Sequence, residues 1–329
     1  MGVPFIMEKG ETMKLQLLVP HYKETLEEIK PLLDSIALQQ GIDFNNIGMI
    51  ICHDGNDIDG ICHGYYPYKI EQIWQAHGGV SAARNTALDH ATADYVMFCD
   101  SDDMFCSMIG LFFILREIES GFDCLTSVFT EQVRNETFMN REMDSTFVHG
   151  KVYRRAYLIE NNIRFNPKLT IHEDSFFNIL AMSLTDKAKY SQTAFYLWRW
   201  RDASVCRHDK DYMLKTYGNM IDSNDALVDE FIRRGHEDKA TIYMGCFVFD
   251  AYYTMNKKEW TDKTHKEYRD AVERRFSDYF RKHKERWDSM DEHQKMEISD
   301  AVRSRVVKEG MPMESITIGE WLKHVYELR

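Results

Sequence analysis

The sequence predicts an α/β fold, a mostly parallel sheet with helices on both faces, followed by a helical C-terminal extension. Three observations carry this. Short apolar runs alternate with amphipathic stretches through the first part of the chain, the pattern of strands joined by crossover helices. Turn-forming Gly, Asn and Asp cluster after the second and fourth of these runs. Beyond Asp209 the pattern is helical throughout.

Taken in order, Lys14–Val19 (KLQLLV) reads as a buried strand ending at Pro20. Leu26, Ile29, Leu33, Ile36 and Gln40 share one face of a helix that Gly41 stops. Ile47–Cys52 (IGMIIC) is a second strand, and His53-Asp54-Gly55-Asn56 has the composition of a turn. Lys69–Trp74 is a third strand, and Gly78-Gly79 opens a helix over Val80–Ala91. Tyr95–Cys99 is a fourth strand, ending in Asp100-Ser101-Asp102-Asp103. A helix then runs from Leu111 to Glu119, followed by strand-like Cys124–Thr130 and a polar stretch to Thr146. Segments 154–161 and 174–183 read as helical and Ala194–Trp200 as a strand. In the helical region Tyr268, Val272, Phe276 and Phe280 mark one amphipathic stripe. The expected organisation is a leader over 1–12, an α/β domain over 13–208 and a helical extension over 209–329.

Composition narrows the function. The 329 residues are 44% hydrophobic and carry a formal charge of −12. Residues 1–208 hold 28 acidic and 19 basic side chains, so the negative charge sits mainly in the α/β part. That argues against nucleic acid as a partner, which needs clustered Lys and Arg. The longest apolar stretch, Met108–Leu115, is far short of the ~20 residues a bilayer span requires. The N-terminus lacks a secretory pattern, and Met1-Gly2 opens like a myristoylation motif except that Ile6 stands where Ser or Thr is wanted. Seven scattered cysteines, an odd number, point to reduced thiols and a cytoplasmic protein.

Three segments could carry chemistry, each with a plainer alternative. Asp100-Ser101-Asp102-Asp103 packs three carboxylates at the end of a strand, where open α/β sheets bind ligands. Such a group suits a hard divalent cation, Mn²⁺ or Mg²⁺; the alternative is a solvated turn capping a helix. Gly78-Gly79 lets backbone approach a ligand, with Arg84 available for phosphate or for the acidic turn; the alternative is a simple Gly-Gly turn. Glu173-Asp174 stands ahead of Phe176-Phe177, either as a general base or as a helix cap.

Together these segments resemble family 2 glycosyltransferases of the GT-A fold. Leu18-Val19-Pro20-His21-Tyr22-Lys23-Glu24 matches the opening strand and Pro-x-Tyr turn, and Asp54-Gly55-Asn56 the turn after strand two. Gly78 to Asn85 matches the Gly-Gly-x-Ser-x-Ala-Arg-Asn block, and Asp100–Asp103 the DxD-type motif. Gly150-Lys151-Val152-Tyr153-Arg154-Arg155 and Glu173-Asp174 complete the set, in the family's order and spacing, over residues 13–208. The family often has two successive acids after strand two, and here His53 replaces the first.

The resemblance implies a metal-dependent, inverting transfer of sugar from a nucleoside diphosphate sugar, a UDP-sugar by preference, to a hydroxyl acceptor such as a glycan. It implies that Pro20, Tyr22 and Glu24 line the nucleotide site, that Asp54 contacts the base, and that Gly79 and Arg84 sit near the nucleotide. Asp100 would contact the ribose and Asp102 the metal; Asp174 would be the base, with Glu173 supporting it or contacting the acceptor. His208 is a further candidate metal ligand, and Arg199 and Arg201 candidate phosphate clamps, against the alternative of a solvated basic patch. Cys52-His53 and Cys62-His63 are ten residues apart, too far for a structural zinc spacing. The basic run from Lys266 to Arg286 is interspersed with acids and reads as an ion-paired helix, with peripheral membrane contact as the alternative. An unpaired apolar face in 209–329 would support a homo-oligomer. A non-catalytic sugar-nucleotide binder of the same fold and a transferase acting on modified DNA are the competing functional classes.

Overall fold

A computed structural model of the chain describes residues 13–55, 66–134, 137–201, 212–257, 260, 266–308, 311, 313 and 315–328. The expected leader over 1–12, Asn56, the Cys62-His63 pair and His208 lie outside the described residues. The chain divides into two compact units between Arg201 and Asp202.

The first unit opens with strand β1 (Leu15–His21), helix α1 (Leu26–Ala37), strands β2 (Ile47–Asp54) and β3 (Lys69–Gln75), helix α2 (Val80–His90) and strand β4 (Tyr95–Phe98). β1 lies between β2 and β4, and β2 pairs with β3, all in parallel. Every residue of β1, β2 and β4 is buried, the signature of strands covered on both faces. That is why their apolar runs are continuous rather than alternating. Thr25 and Glu28 close a reciprocal cap on α1, whose Ile29, Leu32, Leu33 and Ile36 enter the core.

The second half of this unit carries β5 (Met104–Phe105), α3 (Gly110–Glu119), β6 (Cys124–Arg134), β7 (Thr137–Arg141), β8 (Lys151–Arg154), α4 (Arg155–Glu160), α5 (Glu173–Ser183) and β9 (Ala188–Trp198). The sheet order is β3-β2-β1-β4-β8-β6-β9-β5, with β7 paired to β6. β8 runs antiparallel to both β4 and β6, while β6 and β9 are parallel. Three strands fall where the sequence suggests none. β5 has two residues and is defined by its pairing with β9. β7 is exposed and held by its hairpin ladder to β6 rather than by burial, so its polar residues give no apolar signal. β8 has only four residues, too few for a period to emerge. β9 starts six residues before the expected Ala194, because Ala188–Ser191 pair with β6 despite their polar character.

The second unit is helical: α6 (Tyr212–Arg233), α7 (Glu237–Met255), α8 (Lys266–Ser289), α9 (Glu292–Val306) and α10 (Ile318–Glu327). Its core includes Phe231, Met244, Val248, Phe276 and Trp321. Val272, Phe276 and Phe280 of the expected stripe are buried, whereas Tyr268, in the first turn of α8, is exposed. Among the described residues no helix is long and apolar enough to cross a membrane.

Candidate active site

The site is built at the carboxyl ends of β1, β2 and β4 and at the starts of α2 and α5. Its centre is Arg84, one turn into α2 and buried. One guanidinium nitrogen donates to Asp100, after β4, and another to Glu173, at the start of α5, both at 2.9 Å. The guanidinium lies 5.1 Å from the centre of the Phe165 ring. Burial alone would push the Asp100 carboxyl up, but Arg84 outweighs it and holds Asp100 below the usual carboxylate range. Arg84 is itself held more firmly protonated: burial opposes its charge, and Asp100 and Glu173 more than compensate.

Asp174 stands beside this bridge and behaves oppositely. Burial, and then the neighbouring Glu173 charge, push its carboxyl up to about 7, with Arg84 only partly countering. Its Oδ1 accepts from the Ser175 amide at 2.9 Å. His172, immediately before α5, sits in the left-handed region at φ 65°, a strained conformation for a non-glycine residue at the point where the chain turns into the site.

The acidic turn holds three carboxylates in three environments. Asp100 pairs with Arg84. Asp102 is partly exposed, and its Oδ2 accepts from Arg201 at 2.7 Å; Arg201 also pairs with Glu28. Arg199 donates to the Asp102 carbonyl at 3.0 Å. Asp103 is fully buried and accepts from the Tyr196 hydroxyl at 2.8 Å and the Arg199 amide at 2.9 Å. Burial and the two neighbouring acids raise its pKa well above the ordinary value. His149 Nδ1 is 3.5 Å from Asp103 Oδ2, and burial lowers that imidazole to about 4. Asp100, Asp103 and His149 could together present ligand atoms to one ion, although both Asp103 oxygens already accept hydrogen bonds. Asp103 therefore serves first as the tie between the acidic turn and β9.

The remaining expected residues surround the ends of β1 and β2. Pro20 is buried as the penultimate residue of β1. Glu24 turns back to accept from the Tyr22 amide at 2.7 Å, and the Tyr22 ring, 43% exposed, stacks on His77 at 4.6 Å. Asp54 is buried, with its carboxylate taken up internally. It accepts from the Gly78 and Gly79 amides at 2.8 Å each and from Gln75 at 2.6 Å, and it pairs with His77 at 2.8 Å. The anion held by the glycine amides ahead of α2 is thus the side chain of Asp54. Gly79 has φ 85°, and its α-carbon faces open space.

Arg84, Asp100, Glu173 and Asp174 are thus brought together, and Glu24 and Asp102 approach closely enough to influence one another electrostatically. Sequence reasoning missed Tyr196 and the His21–His53 contact. Tyr196 and Asp103 are separated by 93 residues, and only the pairing of β5 with β9 joins them.

Residues 17–190 match the model of the family described as Glycosyl transferase family 2. The chain is 28% identical to Glycosyltransferase GlyA of Streptococcus pneumoniae, over 59% of this chain and 32% of that protein. It is 28% identical to the poly(ribitol-phosphate) beta-N-acetylglucosaminyltransferase TarS of Staphylococcus aureus, over 55% of this chain and 36% of TarS. The chain spans about a third of the length of these two curated relatives. The crystal structure of S. aureus TarS residues 1–349 in complex with UDP superimposes with a TM-score of 0.59 at 18% identity, covering 92% of this chain and 99% of that one. The same TarS fragment without a named ligand gives 0.57 at 17% identity, covering 93% and 100%. The fold is shared.

Proposed function

The chain belongs to glycosyl transferase family 2, and we propose that it transfers a sugar from a UDP-sugar to a hydroxyl of a glycan or similar acceptor, with inversion and with a divalent metal. The observation that carries this reading is the contrast between Asp174, pushed up to about 7, and Asp100, held ionised by Arg84 in the same site. A carboxylate working near neutral pH can take the proton of an attacking hydroxyl. The acceptor oxygen forms its bond to the anomeric carbon as the bond to the diphosphate breaks. Asp174 takes the proton, and the nucleoside diphosphate departs with the electron pair. Arg84 holds Asp100 ionised and ties Glu173 to the same guanidinium, which orients the base and the ribose end of the donor.

The donor set fits Mn²⁺ or Mg²⁺. Asp102 is an oxygen ligand, 29% exposed, and its Oδ1 has no hydrogen-bond partner among the described residues. One carboxylate plus substrate phosphates is a usual arrangement for such ions. When bound, the ion would supply charge stabilisation to the leaving diphosphate. The preference for uridine draws on TarS, whose name is that of an N-acetylglucosaminyltransferase and whose fragment was solved with UDP. We further propose Pro20, Tyr22 and Glu24 as the nucleotide wall.

Nucleotide release from a panel of nucleoside diphosphate sugars, with and without Mn²⁺, tests the reading. One UDP-sugar should be turned over by the wild type, and Asp174→Ala should bind it without turnover. Absence of turnover with every donor and a range of glycan acceptors overturns the proposal.

A further inference from the structure

At the nucleotide end of the site, β1 and β2 place His21 and His53 in register, both buried. Their Nδ1 atoms are 2.8 Å apart. His21 Nε2 lies 2.7 Å from the Glu24 carbonyl, and His53 Nε2 lies 3.0 Å from the Gln72 amide at Oε1. Trp74 stacks on His53 at 4.7 Å. Among the described residues, Glu24 is the one carboxylate within ion-pair reach of either ring, at 3.8 Å from His21 Nε2.

These contacts fix where the protons sit. A carbonyl oxygen only accepts, so His21 Nε2 carries a hydrogen. With both buried rings neutral, His21 has a lone pair at Nδ1, and the 2.8 Å contact is made by His53 Nδ1 donating; His53 Nε2 is then an acceptor, and the Gln72 amide turns its nitrogen rather than its oxygen toward it. The direction of the chain is therefore His53 to His21 to the Glu24 carbonyl. That last bond spans a turn in which Lys23 is held at φ 67°, a conformation that a non-glycine residue keeps only when its surroundings enforce it. The same turn presents Tyr22 and Glu24.

We propose that His53 is a positioning residue for nucleotide binding: by donating from Nδ1 to His21 it sets the tautomer that anchors the Tyr22–Glu24 turn. The proposal rests on the sugar-nucleotide reading above, because it takes this turn to be a wall of the nucleotide site. Asn at position 53 carries an amide nitrogen near the place of Nδ1 and can still donate. Ala cannot. Asp reverses the bond, accepting from His21 Nδ1–H while Nε2–H stays on the carbonyl, so His21 becomes an imidazolium.

Calorimetric titration with UDP in the presence of Mn²⁺ should show His53→Ala binding about tenfold more weakly, the effect of one buried donor lost, and His53→Asn within about threefold of wild type. Imidazole ¹⁵N spectra of the nucleotide-free protein should show His21 as the Nε2–H tautomer in wild type and in His53→Asn, and doubly protonated in His53→Asp. Equal weakening by Ala and Asn, no weakening by either, or an Nδ1–H tautomer of His21 in the wild type overturns the proposal. If the wild type binds no UDP or other nucleoside diphosphate, the sugar-nucleotide reading fails and takes the positioning role with it. The tautomer spectra then still report whether the hydrogen-bond chain itself exists.

Discussion

Arg84 meets a carboxylate on either side, and removing it would leave Glu173 and Asp100 facing each other with no counter-charge. Arg84→Ala should cost about 3 kcal/mol of stability, toward the lower end for a broken buried pair because Asp100 is partly open to solvent. Urea unfolding midpoints measure that directly. Asp174 has the opposite sign. Its folded carboxyl titrates above its unfolded value, so folding loses stability as pH rises from ~4 towards the folded value near 7. Asp174→Asn should therefore melt a few degrees above wild type at pH 8, with the gap closing towards pH 4. With Asp174 as the proposed base, kcat should rise with pH through about 7 and level off above it. Asp174→Asn should lower kcat by ~10²-fold or more while sparing nucleotide affinity. At this scale the sequence names the chemistry but not the partners. Arg84, Asp100, Glu173 and Asp174 are recognisable from their motifs. That Asp54 ties down Gly78 and Gly79, or that His21 meets His53, depends on strand register, which no local pattern encodes.

Among the elements, the approach to α2 depends on a distant residue. The amides of Gly78 and Gly79, immediately ahead of its first turn, are held by Asp54 from the end of β2, across 24 and 25 residues of chain. Asp54→Ala removes acceptors for two amides and for Gln75. We expect a loss of about 1–3 kcal/mol, the cost of leaving inward-facing amides without an acceptor. Gly79→Ala meets no neighbouring atom, but φ 85° alone should cost about 1–2 kcal/mol. Arg84 is carried on this helix, so both changes should weaken UDP binding as well, and thermal melts alongside UDP titrations check the pair. Legibility follows burial. β1, β2 and β4 are covered on both faces and announce themselves as apolar runs. β7 is exposed and β8 is short, so ladder bonds to β6 rather than composition define them.

For the molecule as a whole, the α/β character and the helical C-terminal region follow from a change of period that is visible in the sequence. The role of the helical unit is not, since the motifs that carry the family resemblance all precede it. The acidic chain nevertheless places its cations selectively. Arg84, Arg199 and Arg201 all bond to the Asp100–Asp103 turn, so the carboxylates expected to face a diphosphate are already partly balanced. In the proposed site the donor is bound through Asp102 and the proton is taken by Asp174. Calorimetric titration of wild type, Asp102→Ala and Asp174→Asn with UDP, with and without Mn²⁺, separates the two roles. Binding to wild type and Asp174→Asn should depend on Mn²⁺, and that dependence should be lost in Asp102→Ala. Binding to Asp102→Ala that still responds fully to Mn²⁺ would contradict this assignment.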